Sequence, residues 1–186
     1  MPTLTLEIPD WVEELVAARA DGAADDDGRM SLAVALAGRN AELGGGPFGA
    51  VVFDGERAVG AGVNLVLASG YSIAHAEIVA LLAAQRALGG GPPPRPLTLF
   101  TSAEPCCQCF GAVVWSGISR LVCAATRADV EAIGFDEGPR PDRWQDALRT
   151  RGIEVVEGVQ RGDAARVLRD YGDRGGTLYG PGARRP

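Results

Sequence analysis

The chain holds one histidine, His75, and four cysteines: Cys106, Cys107, Cys109 and Cys123. Glu77 stands two residues after the histidine, and Pro105 stands directly before the first cysteine. Taken alone, Cys106-x-x-Cys109 at a helix start fits either a redox pair or a metal clamp. Adding the imidazole tips the reading towards metal. One nitrogen and two sulfurs make three soft ligands, a set that suits zinc with its fourth position open to water. A closed structural site would need a second histidine, which is absent, or a third cysteine or a carboxylate. Cys107 is one residue from Cys106, about 100° around a helix, and points elsewhere. Cys106 and Cys109 share a face. Cys123 falls in an apolar strand pattern and reads as a buried structural thiol. An open, catalytic zinc site is the better inference.

Both ligand segments read as helix starts, where free N–H groups and the helix dipole favour thiolate over thiol. Zinc with two thiolates is formally neutral and keeps enough Lewis acidity to bring a bound water towards a pKa of about 7. Glu77 can reach that water without ligating the metal and can carry its proton to a departing amine. The plainer reading of Glu77 is a first-turn acid that complements the helix dipole.

These segments need a scaffold that brings them together. The pattern predicts a short helix near Trp11–Ala20, a flexible link, and a helix over Met30–Leu43 stopped by Gly44-Gly45-Gly46-Pro47. Strands are expected at Phe48–Phe53 and Val59–Leu67, joined by an Asp54-Gly55 turn. A helix over Ala74–Leu88 follows, then a stiff Pro92-Pro93-Pro94 connection. Next come a strand at Leu97–Thr101, a helix over Cys106–Ser116 with Pro105 just ahead of it, and a strand at Leu121–Ala125. Helices at Ala128–Ile133 and Arg143–Arg151, a strand at Glu154–Val156 and a helix at Ala164–Tyr171 complete the order. Such alternation implies the α/β class, with helices on both faces of a central sheet.

The length of 186 residues suits one domain of the usual size of about 100–200 residues. Residues 1–27 read as an N-terminal extension and 172–186 as a tail with two apolar anchors, Leu178 and Tyr179. Hydrophobic residues at 46% and charged residues at 23% exclude a disordered or fibrous chain. No apolar run reaches the roughly 18 residues of a membrane span, and the start lacks the pattern of a signal peptide. The chain reads as cytoplasmic. All 18 basic residues are arginine and the net charge is −6, which argues against a dedicated nucleic-acid binder.

His75-x-Glu77 followed by Pro105-Cys106-x-x-Cys109 is the signature of the zinc nucleobase deaminases. The chain resembles the cytidine deaminase-like superfamily, and within it the bacterial guanine deaminases. The resemblance runs from Gly46-Pro47-Phe48-Gly49-Ala50 through Asn64, Ala74–Ile78, Thr101–Cys106, Cys109–Ala112 and Trp115 to Ile133-Gly134-Phe135-Asp136-Glu137-Gly138-Pro139. The last segment narrows it to the guanine deaminase branch. It implies a three-layer α/β/α sandwich with a five-stranded mixed sheet and a homodimer. It implies one zinc per subunit held by His75, Cys106 and Cys109, and a zinc-activated water that adds at C2 of guanine to give xanthine and ammonia. Glu77 then shuttles the proton, and Glu137 is a second acid that holds the amino group or helps its departure. Asn64 hydrogen-bonds the base, Phe48 and Trp115 line the pocket, the backbone around Ala76 faces the substrate, and Tyr179 covers the pocket, in the family from a partner subunit.

Plainer readings stand beside these. Asn64 also fits a strand end, Phe48 and Trp115 core positions, and Glu137 a solvated loop acid. Aminotriazines such as ammeline are further substrates the resemblance allows. The competing activities are deamination of cytosine or a nucleoside, or of a tRNA adenosine. The competing class is a non-catalytic zinc or redox module.

Overall fold

The computed structural model describes residues 5–19, 23–91 and 96–180. The Pro92-Pro93-Pro94 connection, Ala20 and the end of the tail lie outside them. The elements in chain order are α1 (Asp10–Arg19), α2 (Asp26–Glu42), β1 (Gly49–Asp54), β2 (Arg57–Val63), α3 (Val66–Ser69), α4 (Ala76–Ala87) and β3 (Leu97–Ala103). They continue with α5 (Cys107–Ser116), β4 (Arg120–Ala125), α6 (Arg127–Glu131), α7 (Trp144–Arg149), β5 (Glu154–Val156) and α8 (Arg161–Asp173). The sheet is five-stranded in the order β2-β1-β3-β4-β5. β1 is antiparallel to both β2 and β3, while β4 and β5 run parallel to β3. The expected mixed sheet is therefore present.

Side chains alternate across the strands, and each face has its own core. Val51, Phe53, Phe100 and Val122 pack with α2 and α8 on one face. Ala50, Val52, Leu99, Leu121 and Cys123 pack with α4, α5 and α7 on the other. This is the three-layer sandwich the resemblance implied. Among the described residues no helix is long and apolar enough to cross a membrane.

Two local expectations are corrected. Residues 23–27 are not a loose link: the Asp25 side chain accepts from Gly28 N–H at 2.8 Å and starts α2 four residues earlier than the apolar pattern does. Capping by a short acid is the signal that apolar spacing misses. Nor does β2 run to Leu67. The Asn64 side-chain oxygen accepts from Val66 N–H at 3.1 Å, which turns the chain out of the sheet into α3.

Topology explains the position of the chemistry. β2 and β3 are both antiparallel to β1, so they point the same way and end at one sheet edge. The helices that follow them, α4 and α5, both begin at that edge. So do the turns before β1 and after β4. Ligand sites of open α/β sheets form at such carboxyl edges.

Helix α4 lies unusually close to β2. A Cβ at Gly60 would meet the Ala80 carbonyl oxygen at 2.5 Å, and one at Gly62 would meet the Ala76 carbonyl oxygen at 2.5 Å. Only glycine admits such an approach of helix backbone to strand.

Candidate active site

His75 is the N-cap of α4 and Cys106 the N-cap of α5, both with extended backbone, and neither side chain makes a capping hydrogen bond. Both side chains turn instead to the gap between the helices. The two sulfurs of Cys106 and Cys109 each lie 3.5 Å from His75 Nδ1. All three ligand atoms fall within 4.8 Å of one another. One nitrogen and two sulfurs at this spacing can surround a single ion, and their softness suits zinc. Cys107, although adjacent in sequence, is not in the cluster. It faces the backbone of Gly138 instead. Cys123 is fully buried in β4.

Electrostatics agree that the cluster wants a cation. The hydrogen bond from Cys109 lowers the Cys106 pKa to about 4, with help from His75. The same bond, with burial, pushes Cys109 well above its ordinary value. Two neighbouring sulfurs cannot both ionise unless a positive charge separates them. Burial alone would lower the His75 pKa, but the Cys106 hydrogen bond and the charges of Glu77, Cys106 and Glu137 outweigh it and hold the imidazole above its ordinary value.

Two buried carboxyl groups flank the ligands. Burial raises Glu77 to about 6, with the negative Cys106 adding to the effect. Burial raises Glu137 to about 8, again with Cys106 and then Glu77 contributing. Without a cation beside them, each can hold a proton near neutrality. Glu77 sits in the first turn of α4. Glu137 sits in the irregular segment before α7, tied to α5 by Cys107 N–H donating to its carbonyl at 3.0 Å.

A cavity of about 640 Å³ opens onto His75, Cys106 and Glu137, with Phe135 and Tyr179 among its walls. Phe135 is the hub of a ring cluster, 5.3 Å from Phe48 and 4.9 Å from Tyr179 between centroids, both edge-on. Tyr179 reaches this cavity on its own chain. Tyr171 fastens the tail by donating its hydroxyl to the Thr177 carbonyl at 2.6 Å. The Tyr179 hydroxyl is buried without a hydrogen-bond partner among the described residues. It lies against Gly46, where any side chain would strike it, and Asn64 borders the same spot.

Asn64 is buried and directly follows β2. With its oxygen engaged by Val66 N–H, the amide nitrogen is the end that can donate to a ligand. Ala76 is buried at the start of α4. Trp115 does not line the cavity of its own chain. It stands near the end of α5, 87% exposed, because the buried positions of that helix are Cys109, Val113 and Ser116.

Two further residues escape sequence reading. The Asn40 side chain donates to the carbonyls of Gly46 at 2.8 Å and Asn64 at 2.9 Å, and so pins both rims together. Its one trace in the sequence is a polar residue on the apolar face of α2. The other is Arg140, which binds Glu104 and Pro105 beside the ligand turn.

Helix-start ligands, a lone histidine and a buried acid two residues on mark a class of zinc hydrolase, and the comparisons agree. Residues 24–125 match the model of the cytidine and deoxycytidylate deaminase zinc-binding region, and the chain belongs to that family. It is similar to guanine deaminase of Bacillus subtilis, 36% identical over 109 residues that cover 59% of this chain and 69% of that protein. It is also similar to the tRNA-specific adenosine deaminase of Haemophilus influenzae, 33% identical over 153 residues covering 78% and 82%. The solved guanine deaminase of Nitrosomonas europaea superposes with a TM-score of 0.84 at 41% identity, covering 92% of this chain and 97% of that one. That protein has been solved with 8-azaguanine and with 2,6-diaminopurine.

Proposed function

We propose that this chain hydrolyses guanine to xanthine and ammonia. The observation that carries the reading is the pair of buried carboxyl groups, Glu77 and Glu137, beside one metal-ligand set. His75, Cys106 and Cys109 would hold the zinc, which when bound acidifies a water for attack on a ring carbon. Glu77 accepts one proton of the attacking water and passes it to the ring nitrogen beside C2; it then moves the second proton, from the oxygen added at C2, to the leaving nitrogen, so that C=O forms as the C–N bond breaks. Glu137 accepts a hydrogen bond from the exocyclic amine of guanine and assists its departure as ammonia. The Asn64 amide nitrogen donates to an acceptor on the ring, and the backbone at Ala76 lies against the base. Phe135 and Tyr179 supply the apolar walls a planar base requires, with Phe48 packed against Phe135. The likeness to guanine deaminases covers most of the chain and supports this substrate. A cavity of about 640 Å³ accommodates a two-ring base.

The test is incubation of the zinc-loaded protein with guanine, ammeline, cytosine, cytidine, guanosine and tRNA in parallel. Xanthine and ammonia should form in equal amounts, with guanine the fastest substrate and ammeline second. No turnover of guanine with zinc in place rejects the proposal. The likeness to tRNA deaminases makes tRNA the informative competitor, but the net charge of −6 disfavours a polyanion.

We further propose a cytoplasmic homodimer. Its support is two exposed apolar side chains on neighbouring helices: Leu82 of α4 is 52% and Trp115 of α5 87% exposed, and covering such groups favours association. The cysteines are free, as suits a reducing compartment. Sedimentation should give twice the chain mass, and Trp115→Arg should shift it to that of one chain. A wild-type monomer rules the dimer out.

A further inference from the structure

Residues 135–141 carry Glu137 without any helix or strand to hold them. Phe135 secures one end through its ring contacts with Phe48 and Tyr179. Arg140 secures the other. One guanidinium nitrogen donates to the Pro105 carbonyl at 2.7 Å and another to Glu104 Oε2 at 2.7 Å. The same group lies 4.4 Å from the centre of the Trp144 ring. The side chains of Arg140 and Glu104 are only 6% and 10% exposed.

A charge pair sequestered this deeply loses hydration, and its net gain over an apolar pair is small or negative. What a planar arginine fork supplies is fixed geometry. The fixed relation here is between two turns of the active site. Glu104 and Pro105 lead directly into Cys106, and Cys107 N–H reaches back to the Glu137 carbonyl at 3.0 Å. Glu137 and its neighbours thus meet the ligand turn through one backbone bond and one arginine.

We infer that Arg140 is a positioning residue for deamination: its fork on Glu104 and Pro105 holds the Glu137 carboxyl in place beside the metal ligands. The inference rests on the reading of Glu137 as the second acid of the site. A lysine cannot replace the fork, because a single ammonium cannot reproduce its planar two-point contact.

The experiment is a double-mutant cycle on the zinc-loaded protein, with guanine turnover, zinc content and melting temperature measured for each variant. Arg140→Met should lower kcat by about 10- to 100-fold, the scale of a misplaced reacting group, with zinc content unchanged and KM altered much less. Arg140→Lys should recover only part of the rate. In a Glu137→Gln background, Arg140→Met should lower kcat no further. Losses that multiply in the double variant, or a loss of zinc that tracks the loss of rate, would overturn the inference. So would an Arg140→Met protein of normal activity. Glu137→Gln with undiminished turnover would remove the role of Glu137 itself, a separate result that also leaves the fork nothing to position. Breaking one side of a buried pair endangers folding. The companion variant Glu104→Leu with Arg140→Met therefore replaces both charges by apolar side chains. It should melt near the wild-type temperature and show the same fall in kcat; full activity in it would equally overturn the inference.

Discussion

At the scale of single residues, Glu77 offers the sharpest test of the mechanism. Glutamine keeps its shape and much of its hydrogen bonding but cannot carry a proton. Glu77→Gln should retain zinc and lose turnover by about 10²- to 10⁴-fold, the usual worth of a positioned acid–base group. Metal analysis beside xanthine formation checks it, and zinc loss would make Glu77 a ligand instead. His75→Ala should lose both zinc and activity. These residues were legible because the chain has a single histidine and because short spacings place ligands on one helix face. Arg140 and Asn40 were not. Arg140 meets its acid 36 residues away and Asn40 meets a carbonyl 24 residues away, and no local pattern announces such pairings. Trp115 shows the opposite failure: the motif marks it, but the turn of α5 sends it outward.

At the scale of elements, the strand directions decide where ligands meet, but the glycines of β2 decide how closely. Gly62 lies beneath the Ala76 carbonyl and Gly60 beneath that of Ala80. An added methyl at either forces helix from strand and should cost about 1–3 kcal/mol. The two differ in what they move. Gly62→Ala displaces the turn that bears His75 and Glu77 and should weaken zinc retention and turnover together. Gly60→Ala acts about one helical turn further on and should lower the melting temperature while sparing the metal. Equal zinc loss in both variants would contradict this division. Strong apolar runs and glycine breaks made most helices and strands readable. The start of α2 and the short α3 were not, since a cap and an asparagine turn set them rather than hydrophobic period.

For the whole molecule, the cluster ties stability to metal and pH. Without zinc, burial raises Glu77 to about 6 and Glu137 to about 8, above the usual 4.5 of an unfolded glutamate. A carboxyl whose folded pKa is raised contributes stability below its unfolded pKa and loses it as pH rises through the folded value. Cys106, held at about 4 in the same cluster, gains stability over this range and offsets the loss, so the slope is read against Glu137→Gln: in the metal-free protein the wild-type melting temperature should fall relative to that variant from about pH 4.5 to pH 8. A bound dication reverses the local field, so zinc loading should flatten that slope. Thermal melts of both forms across this range make the comparison, and parallel slopes would show that the acids do not feel the metal. The sheet topology has one more consequence. Every reacting group gathers at one rim, whereas α4, which follows the imidazole and carboxylate, ends at the opposite rim, and β3, which leads to the thiols, begins there. Severing the polypeptide there would leave the reacting groups untouched, so two separately synthesised halves, zipped along β1 and β3, should rebuild a working centre.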